Sequence, residues 1–193
     1  MTMTRRSLLT SLATVPVLSL GPPPALAQGK RLALTPECSG VAHRTIANPE
    51  GPYFRPSSPL KRDLAADVGR GDRIFLGGFV RDEACRPVPG ALIELWHADD
   101  DGRYDNVGFK LRGHQFSNEH GMWWFATIVP AAYWTRTRHY HFKVQRPNDR
   151  VLTTQLYFPG EQQNQRDREF DARLLMRITK FEDQPLGRFD FVI

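Results

Sequence analysis

Ala91-Leu92-Ile93-Glu94-Leu95-Trp96 decides the fold class: Ala91, Ile93 and Leu95 share one side of an extended chain, and Leu92, Glu94 and Trp96 share the other. Alternation with period 2 reads as a strand, because a helix would scatter the same positions around its circumference. Pro87, Pro89 and Gly90 punctuate the chain just before it. Working outward, residues 73–80 form a strand-like run that leads into the turn-rich stretch 82–90. Residues 122–128 are rich in aromatic and β-branched side chains and stop near Pro130. Residues 139–144, 151–158 and 188–192 read the same way, and 172–181, compatible with strand or short helix, is read as a strand. Six or seven short strands with turns between them, and no helical pattern or internal repeat, predict an all-β protein. The architecture expected is an antiparallel β-sandwich over 73–193 with few helices. Residues 28–72 are expected to form an ordered N-terminal arm wrapping it.

Composition narrows the classes. The 193 residues are 40% hydrophobic and 24% charged, which excludes a disordered tail and a membrane bundle. A net charge of +5 arises from dispersed Lys and Arg without a basic run interleaved with aromatics, so no nucleic-acid partner is expected. Near the start, Thr4-Arg5-Arg6-Ser7-Leu8-Leu9 precedes an apolar stretch that ends near Ala25-Leu26-Ala27. That stretch is too short for the about 20 apolar residues of a membrane span, and Ala-x-Ala is a cleavage pattern. Residues 1–27 are therefore expected to be an export signal that leaves no stable membrane anchor. The paired arginines resemble the twin-arginine motif, which routes proteins already folded in the cytoplasm and implies a periplasmic or extracellular destination in a bacterium. Cys38 and Cys85 can bridge in an oxidising compartment if their Cα atoms lie within about 7 Å. With no CxxC and no Cys-His cluster, zinc-ribbon and iron–sulfur readings have no ligands.

The chemistry concentrates between Tyr104 and His141. In His139-Tyr140-His141 two imidazoles at i and i+2 fall on one face of a strand with Cβ atoms about 7 Å apart, a spacing that lets both grip one metal ion. An isolated His-x-His also suits a solvated strand face. Tyr133 follows Pro130 six residues before His139, and Tyr104 lies in the polar turn Asp101-Gly102-Arg103-Tyr104-Asp105. Either tyrosine alone reads as a core or rim residue with a hydrogen-bonded hydroxyl.

Together these residues resemble a family, the intradiol ring-cleavage dioxygenases, which are non-haem iron enzymes that include the catechol and protocatechuate dioxygenases. The resemblance rests on an ordered series: Glu50-Gly51-Pro52-Tyr53, Arg62-Asp63-Leu64, Pro87-Val88-Pro89-Gly90-Ala91, Leu95-Trp96-His97-Ala98-Asp99 and Gly102-Arg103-Tyr104. It continues through Arg112-Gly113, residues 121–125, Thr127-Ile128-Val129-Pro130, Tyr133, Arg136, His139-Tyr140-His141-Phe142 and Gln155-Leu156-Tyr157-Phe158-Pro159-Gly160. The chain looks most like short, exported bacterial members rather than longer cytoplasmic ones with a helical dimerisation arm. The resemblance implies one ferric ion per chain held by Tyr104, Tyr133, His139 and His141. Hard Fe(III) suits phenolate oxygen, and a coordinated cation lowers a phenol from its usual pKa of about 10. It further implies a catechol substrate and O2, with ring cleavage between the hydroxylated carbons to a muconate-type diacid. In that scheme Tyr133 leaves the metal and accepts a substrate proton. Arg136 stabilises carbanion character in the ring, Gln155 lies behind the metal or in an oxygen pocket, and Tyr53 edges the substrate.

The family pattern is not matched throughout. The Tyr133 to His139 interval is shorter than in cytoplasmic protocatechuate enzymes, and Asn118-Glu119 stands where a Thr-Asp pair is expected. Trp96, Trp123 and Trp124 are expected in the core, His97 and His114 in structural or exposed positions, and His43 and His120 without a role. A non-catalytic, transthyretin-like binding module shares the strand pattern and the Pro-Val-Pro-Gly-Ala segment, but lacks the four ligands. A His pair holding zinc or copper would leave Tyr104 and Tyr133 unexplained. The ring must carry adjacent hydroxyls to chelate iron. Its substituents stay open, with the short 133–139 connection leaving room for bulky ones and the basic balance accommodating a carboxylate.

Overall fold

The computed structural model describes residues 42–193. The expected export signal, residues 28–41 of the expected arm and Cys38 lie outside the described residues.

Among the described residues, nine strands build two packed sheets. They are β1 (Arg73–Arg81), β2 (Leu92–Trp96), β3 (Arg112–Phe116), β4 (Met122–Ile128), β5 (His139–Gln145), β6 (Val151–Tyr157), β7 (Arg177–Phe181), β8 (Gln184–Arg188) and β9 (Phe191–Val192). One sheet runs β4-β1-β8-β7 with β9 also on β1, and the other runs β3-β2-β5-β6. Between them lies a core in which Leu76, Val80, Ile93, Leu95, Trp123, Phe125, Tyr140, Phe142, Val144, Leu156 and Phe191 are fully buried. Each large side chain so buried contributes about 1.5–3 kcal/mol relative to exposure, before the entropy of ordering it is set against that. The all-β sandwich read from the sequence is therefore present.

Four details differ from expectation. The sandwich is not purely antiparallel, since β1 pairs in parallel with both β8 and β9. Residues 188–192 do not form one strand: the chain jogs at Phe189-Asp190, where the Asp190 carboxylate accepts a hydrogen bond from the Phe79 amide (3.1 Å). The jog brings the Phe189 carbonyl to within 1.8 Å of where a Cβ on Gly78 would sit, so only glycine fits there. Residues 172–181 divide into a 3-10 turn, Ala172–Leu174, and β7. Asp171 caps the turn by accepting from the Arg173 amide, which ends any extended run. Finally, β3 and β8 have no apolar alternation to announce them. β8 tolerates Pro185 because its pairing with β1 begins only at Leu186, after the missing N–H.

Residues 42–72 run along the sheet edges. The Asn48 amide donates to the Thr153 carbonyl (2.9 Å) beside β6, His114 exchanges backbone bonds with Pro59 and Lys61 beside β3, and Leu64 and Arg62 do the same with Ala126 of β4. Exposed edge groups of strands are thereby paired. Cys85 is disulfide-bonded.

The face parity of β5 positions the chemistry. Tyr140, Phe142 and Val144 point into the core, so His139 and His141 project from the outer face of the second sheet, yet both are buried. Register puts Trp96 of β2 and Gln155 of β6 opposite His141, and Tyr157 opposite His139, on that same outer face.

Candidate metal centre

The two histidine Nε2 atoms lie 3.1 Å apart, and the Tyr104 hydroxyl lies 3.0 Å from Nε2 of His141. Tyr133 completes the group. Its ring centroid is 5.6 Å from Tyr104 and 5.6 Å from His139. Two loops and one strand thus bring Tyr104, Tyr133, His139 and His141 to one point, although they are separated by up to 37 residues in sequence.

Each ligand candidate is held from behind. Nδ1 of His139 donates to the Thr137 carbonyl (2.6 Å), which fixes the tautomer and leaves the Nε2 lone pair facing the cluster. His141 is stacked on Trp96 at 4.9 Å and 8°. A Cβ on Gly51, whose φ is +73°, would lie 3.4 Å from Cε1 of His141, so the Gly51-Pro52-Tyr53 turn passes closely over the imidazole. Tyr104 is held through the residue after it: the Asp105 carboxylate accepts from the amides of Val107, Gly108 and Lys110 at 2.9, 2.7 and 2.9 Å. The buried Arg112 guanidinium donates to the Asp105 carbonyl and to the Tyr53 carbonyl (2.6 Å), stapling two loops together. Tyr133 starts a tight turn closed by reciprocal backbone bonds with Arg136. Gly102 makes room for that turn, since a Cβ there would meet Cβ of Tyr133 at 3.1 Å. Tyr53 stacks on Tyr104 at 4.3 Å and meets Tyr133 edge-on at 6.3 Å, covering both phenols.

The donor set fits a hard, highly charged cation. Burial pushes the His139 imidazole down to about 4 and that of His141 well below its ordinary value, so both are neutral lone-pair donors at neutral pH. Burial, followed by the neighbouring Tyr133, raises Tyr104, and burial also raises Tyr133, so the protein alone keeps both phenols protonated. Only an added positive charge would ionise them. The buried Nδ1 of His141 has no hydrogen-bond partner among the described residues. In the tautomer that carries its proton on Nδ1, the His141 Nε2 lone pair faces that of His139. A cation between the two Nε2 atoms would use both lone pairs at once.

Arg136 and Gln155 lie beside this group in a network that the sequence did not reveal. Nε of Arg136 donates to both oxygens of Asp167 (3.0 Å each), Nη1 pairs with Glu169 (3.0 Å) and Nη2 donates to the Gln155 side-chain oxygen. The Gln155 amide nitrogen donates to the Pro49 carbonyl (2.7 Å) and to Glu169 (2.8 Å). The Tyr157 hydroxyl lies 2.9 Å from the Gln155 oxygen. Gln155 is thus a fully bonded buried amide, and Arg136 is far from a surface charge. Asp167, Glu169 and Tyr157 were missed; only Tyr157 carried a signal, its alternation with Gln155 on one face of β6. Trp96 is buried as expected but belongs to the site face rather than the core, and Trp124 is half-buried under the Arg62 guanidinium (4.8 Å). His97 is structural, bonded to the Ala98 carbonyl and to Thr127.

This two-sheet scaffold, with two buried histidines and two half-buried tyrosines gathered on its outer face, defines a class that comparison with known proteins identifies. A family model described as Dioxygenase matches residues 49–186, which hold all four of these side chains, and the chain belongs to that dioxygenase family. It is 32% identical over 181 residues to the hydroxyquinol 1,2-dioxygenase of Nocardioides simplex, an alignment covering 81% of this chain and 60% of the relative. A chlorocatechol 1,2-dioxygenase of Rhodococcus opacus is 29% identical over 153 residues, covering 63% of this chain and 59% of the relative. The chain spans about three fifths of the length of these curated relatives. Among solved structures, the dioxygenase domain of a dioxygenase carbohydrate-binding protein fusion from the cellulolytic bacterium Streptomyces sp. SirexAA-E is 45% identical with a TM-score of 0.75. That likeness covers 78% of this chain and 98% of the Streptomyces chain. Membership in this family disfavours the binding-module alternative.

Proposed function

We propose that the protein is an intradiol dioxygenase that cleaves a catechol-type ring between its two hydroxylated carbons with O2, giving a muconate-type diacid. The observation that carries the reading is the convergence of Tyr104, Tyr133, His139 and His141 on one point, with both Nε2 lone pairs and the Tyr104 hydroxyl turned toward it and the Tyr133 ring beside it. These four side chains would hold one ferric ion, which when bound would chelate the catecholate and draw electron density from the ring so that O2 attacks carbon.

The remaining work falls to the chain. Tyr133, on its own tight turn, is the phenol that swings aside for the substrate and takes up a proton at its hydroxyl oxygen, while Tyr104 is anchored through Asp105 and Arg112 and stays in place. Arg136, oriented by Asp167 and Gln155, presents a fixed cation beside the reacting ring. Tyr53 and Trp96 exclude water. The relatives named for hydroxyquinol and chlorocatechol support a catechol-class substrate for this chain too. For residues 1–27 we propose export of the folded protein by the twin-arginine route to the periplasm or beyond, tested by whether Arg5→Lys with Arg6→Lys traps folded precursor in the cytoplasm.

Protein from iron-replete cells should carry about one iron per chain and a visible tyrosinate-to-iron band. The band should shift or bleach in Tyr104→Phe and Tyr133→Phe, and His139→Ala should lose the iron. With catechol, the aromatic absorbance should disappear and the diacid should contain both atoms of O2. A semialdehyde product, or full iron and activity in His139→Ala, would overturn the reading.

A further inference from the structure

Arg136 is a cation whose charge is more than cancelled by its immediate neighbours. Asp167 and Glu169 both pair with it, so the three side chains together carry a formal charge of −1. Every guanidinium nitrogen already has a partner: Nε is bonded to Asp167, Nη1 to Glu169 and Nη2 to Gln155. The other guanidinium near the phenols, Arg112, is taken up by the carbonyls of Tyr53 and Asp105. A carboxylate carried into this site on a ring would meet no unpaired cation from either arginine.

The two acids differ in what they do. The Asp167 side chain is fully buried and also accepts from the amides of Thr137 and Glu169 (2.9 Å each), so it builds the local backbone. Glu169 keeps 31% of its side chain exposed, and its bonds are to the Arg136 and Gln155 side chains. Through Gln155, which stands opposite His141 on the site face, it borders the candidate ligands.

We propose that Glu169 selects the substrate, by keeping the wall beside Arg136 net negative so that catechols with uncharged ring substituents are accepted and ring-carboxylated catechols are turned away. This rests on the catechol reading above and narrows it, replacing the expectation from overall basicity that a carboxylate is accommodated. A full charge repelled across several ångströms of partly screened protein is worth at least about tenfold in relative kcat/KM.

The test uses iron-loaded protein with 3,4-dihydroxybenzamide and 3,4-dihydroxybenzoate, which are similar in shape and differ by one charge. The wild type should favour the amide by about tenfold or more, and added salt should narrow the ratio. Glu169→Gln keeps an oxygen acceptor for Arg136 and Gln155, and it should shrink the ratio about tenfold, chiefly by raising kcat/KM for the benzoate. If that variant does not fold, the wild-type ratio and its salt dependence decide the matter. Equal use of the two rings, preference for the benzoate, or an unchanged ratio in a folded Glu169→Gln protein would overturn the proposal while leaving ring cleavage intact. If iron-loaded wild type cleaves neither ring nor catechol itself, the catechol reading falls and this proposal with it.

Discussion

Replacing Asp167 by Asn tests whether the clamp behind the site also holds the fold. The carboxylate is fully buried and accepts from Nε of Arg136 with both oxygens, from the Thr137 amide with one and from the Glu169 amide with the other. Asparagine keeps one acceptor oxygen, so its NH2 must face one of the two backbone N–H groups, donor against donor. Leaving a buried donor unmet costs about 1–3 kcal/mol, and removing one partner of a buried ion pair costs about 3–5 kcal/mol. Because Arg136 retains Glu169 and Gln155, the low end applies, and the expected loss is about 3 kcal/mol. That is a large fraction of the about 5–15 kcal/mol that a domain has in total. At roughly 2–4 °C per kcal/mol for a chain of this size, Tm should fall by about 6–12 °C. The assay is denaturant unfolding of both proteins stripped of metal, so that ligand binding does not add to either stability. A midpoint shift equivalent to less than about 0.5 kcal/mol would refute the argument, because it would mean that the buried carboxylate is replaceable by its amide.

Three further outcomes follow from the geometry. Gly78→Ala places a Cβ 1.8 Å from the Phe189 carbonyl and should cost about 2–3 kcal/mol as the β9 end of β1 shifts; an unchanged unfolding midpoint would show that the jog is soft. Burial pushes His97 down to about 3, so below an unfolded pKa of about 6.5 the unfolded chain binds a proton that the folded one refuses, and stability falls as pH falls through that window. Stability-versus-pH curves should therefore be shallower in His97→Gln by about 1.4 kcal/mol per pH unit between those limits, and parallel curves would contradict it. Asp105→Ala deletes the acceptor for the amides of Val107, Gly108 and Lys110, so the variant should lose about 1–2 kcal/mol and retain less iron per chain, measured by metal analysis after gel filtration.

What could be read in the sequence was what is local. β1, β2, β4, β5 and β6 announce themselves because one face of each must be apolar to fill the space between two sheets, and His139 with His141 stands out because alternation puts both on the other face. β3 was invisible because Arg112-Gly113-His114-Gln115-Phe116 contains almost no apolar pattern: Arg112 is buried for its hydrogen bonds to loop carbonyls and Gln115 for those to Trp124. The parallel pairing of β1 with β8 and β9 leaves no mark in any one strand, since parallel and antiparallel neighbours ask for the same side chains. Asp167 and Glu169 lie in a polar segment without periodicity, 31 and 33 positions from the arginine that they hold. Nothing within that segment distinguishes them from solvated surface charges.

The consequence for the site is a division of labour along one strand. β5 gives Tyr140, Phe142 and Val144 to the core and His139 and His141 to the outer face, so the strand that carries two candidate ligands is also fixed by the core on its other side. The phenols, by contrast, come from loops whose positions depend on polar staples: Asp105 and Arg112 for Tyr104, and the Gly102 contact with the Arg136 turn for Tyr133. Backbone movement therefore reaches the tyrosines more readily than the histidines. In the proposed reaction the residue that must leave and return is Tyr133, which stands on a turn of four residues rather than on the sheet, so the pieces that need to move are those the core does not hold.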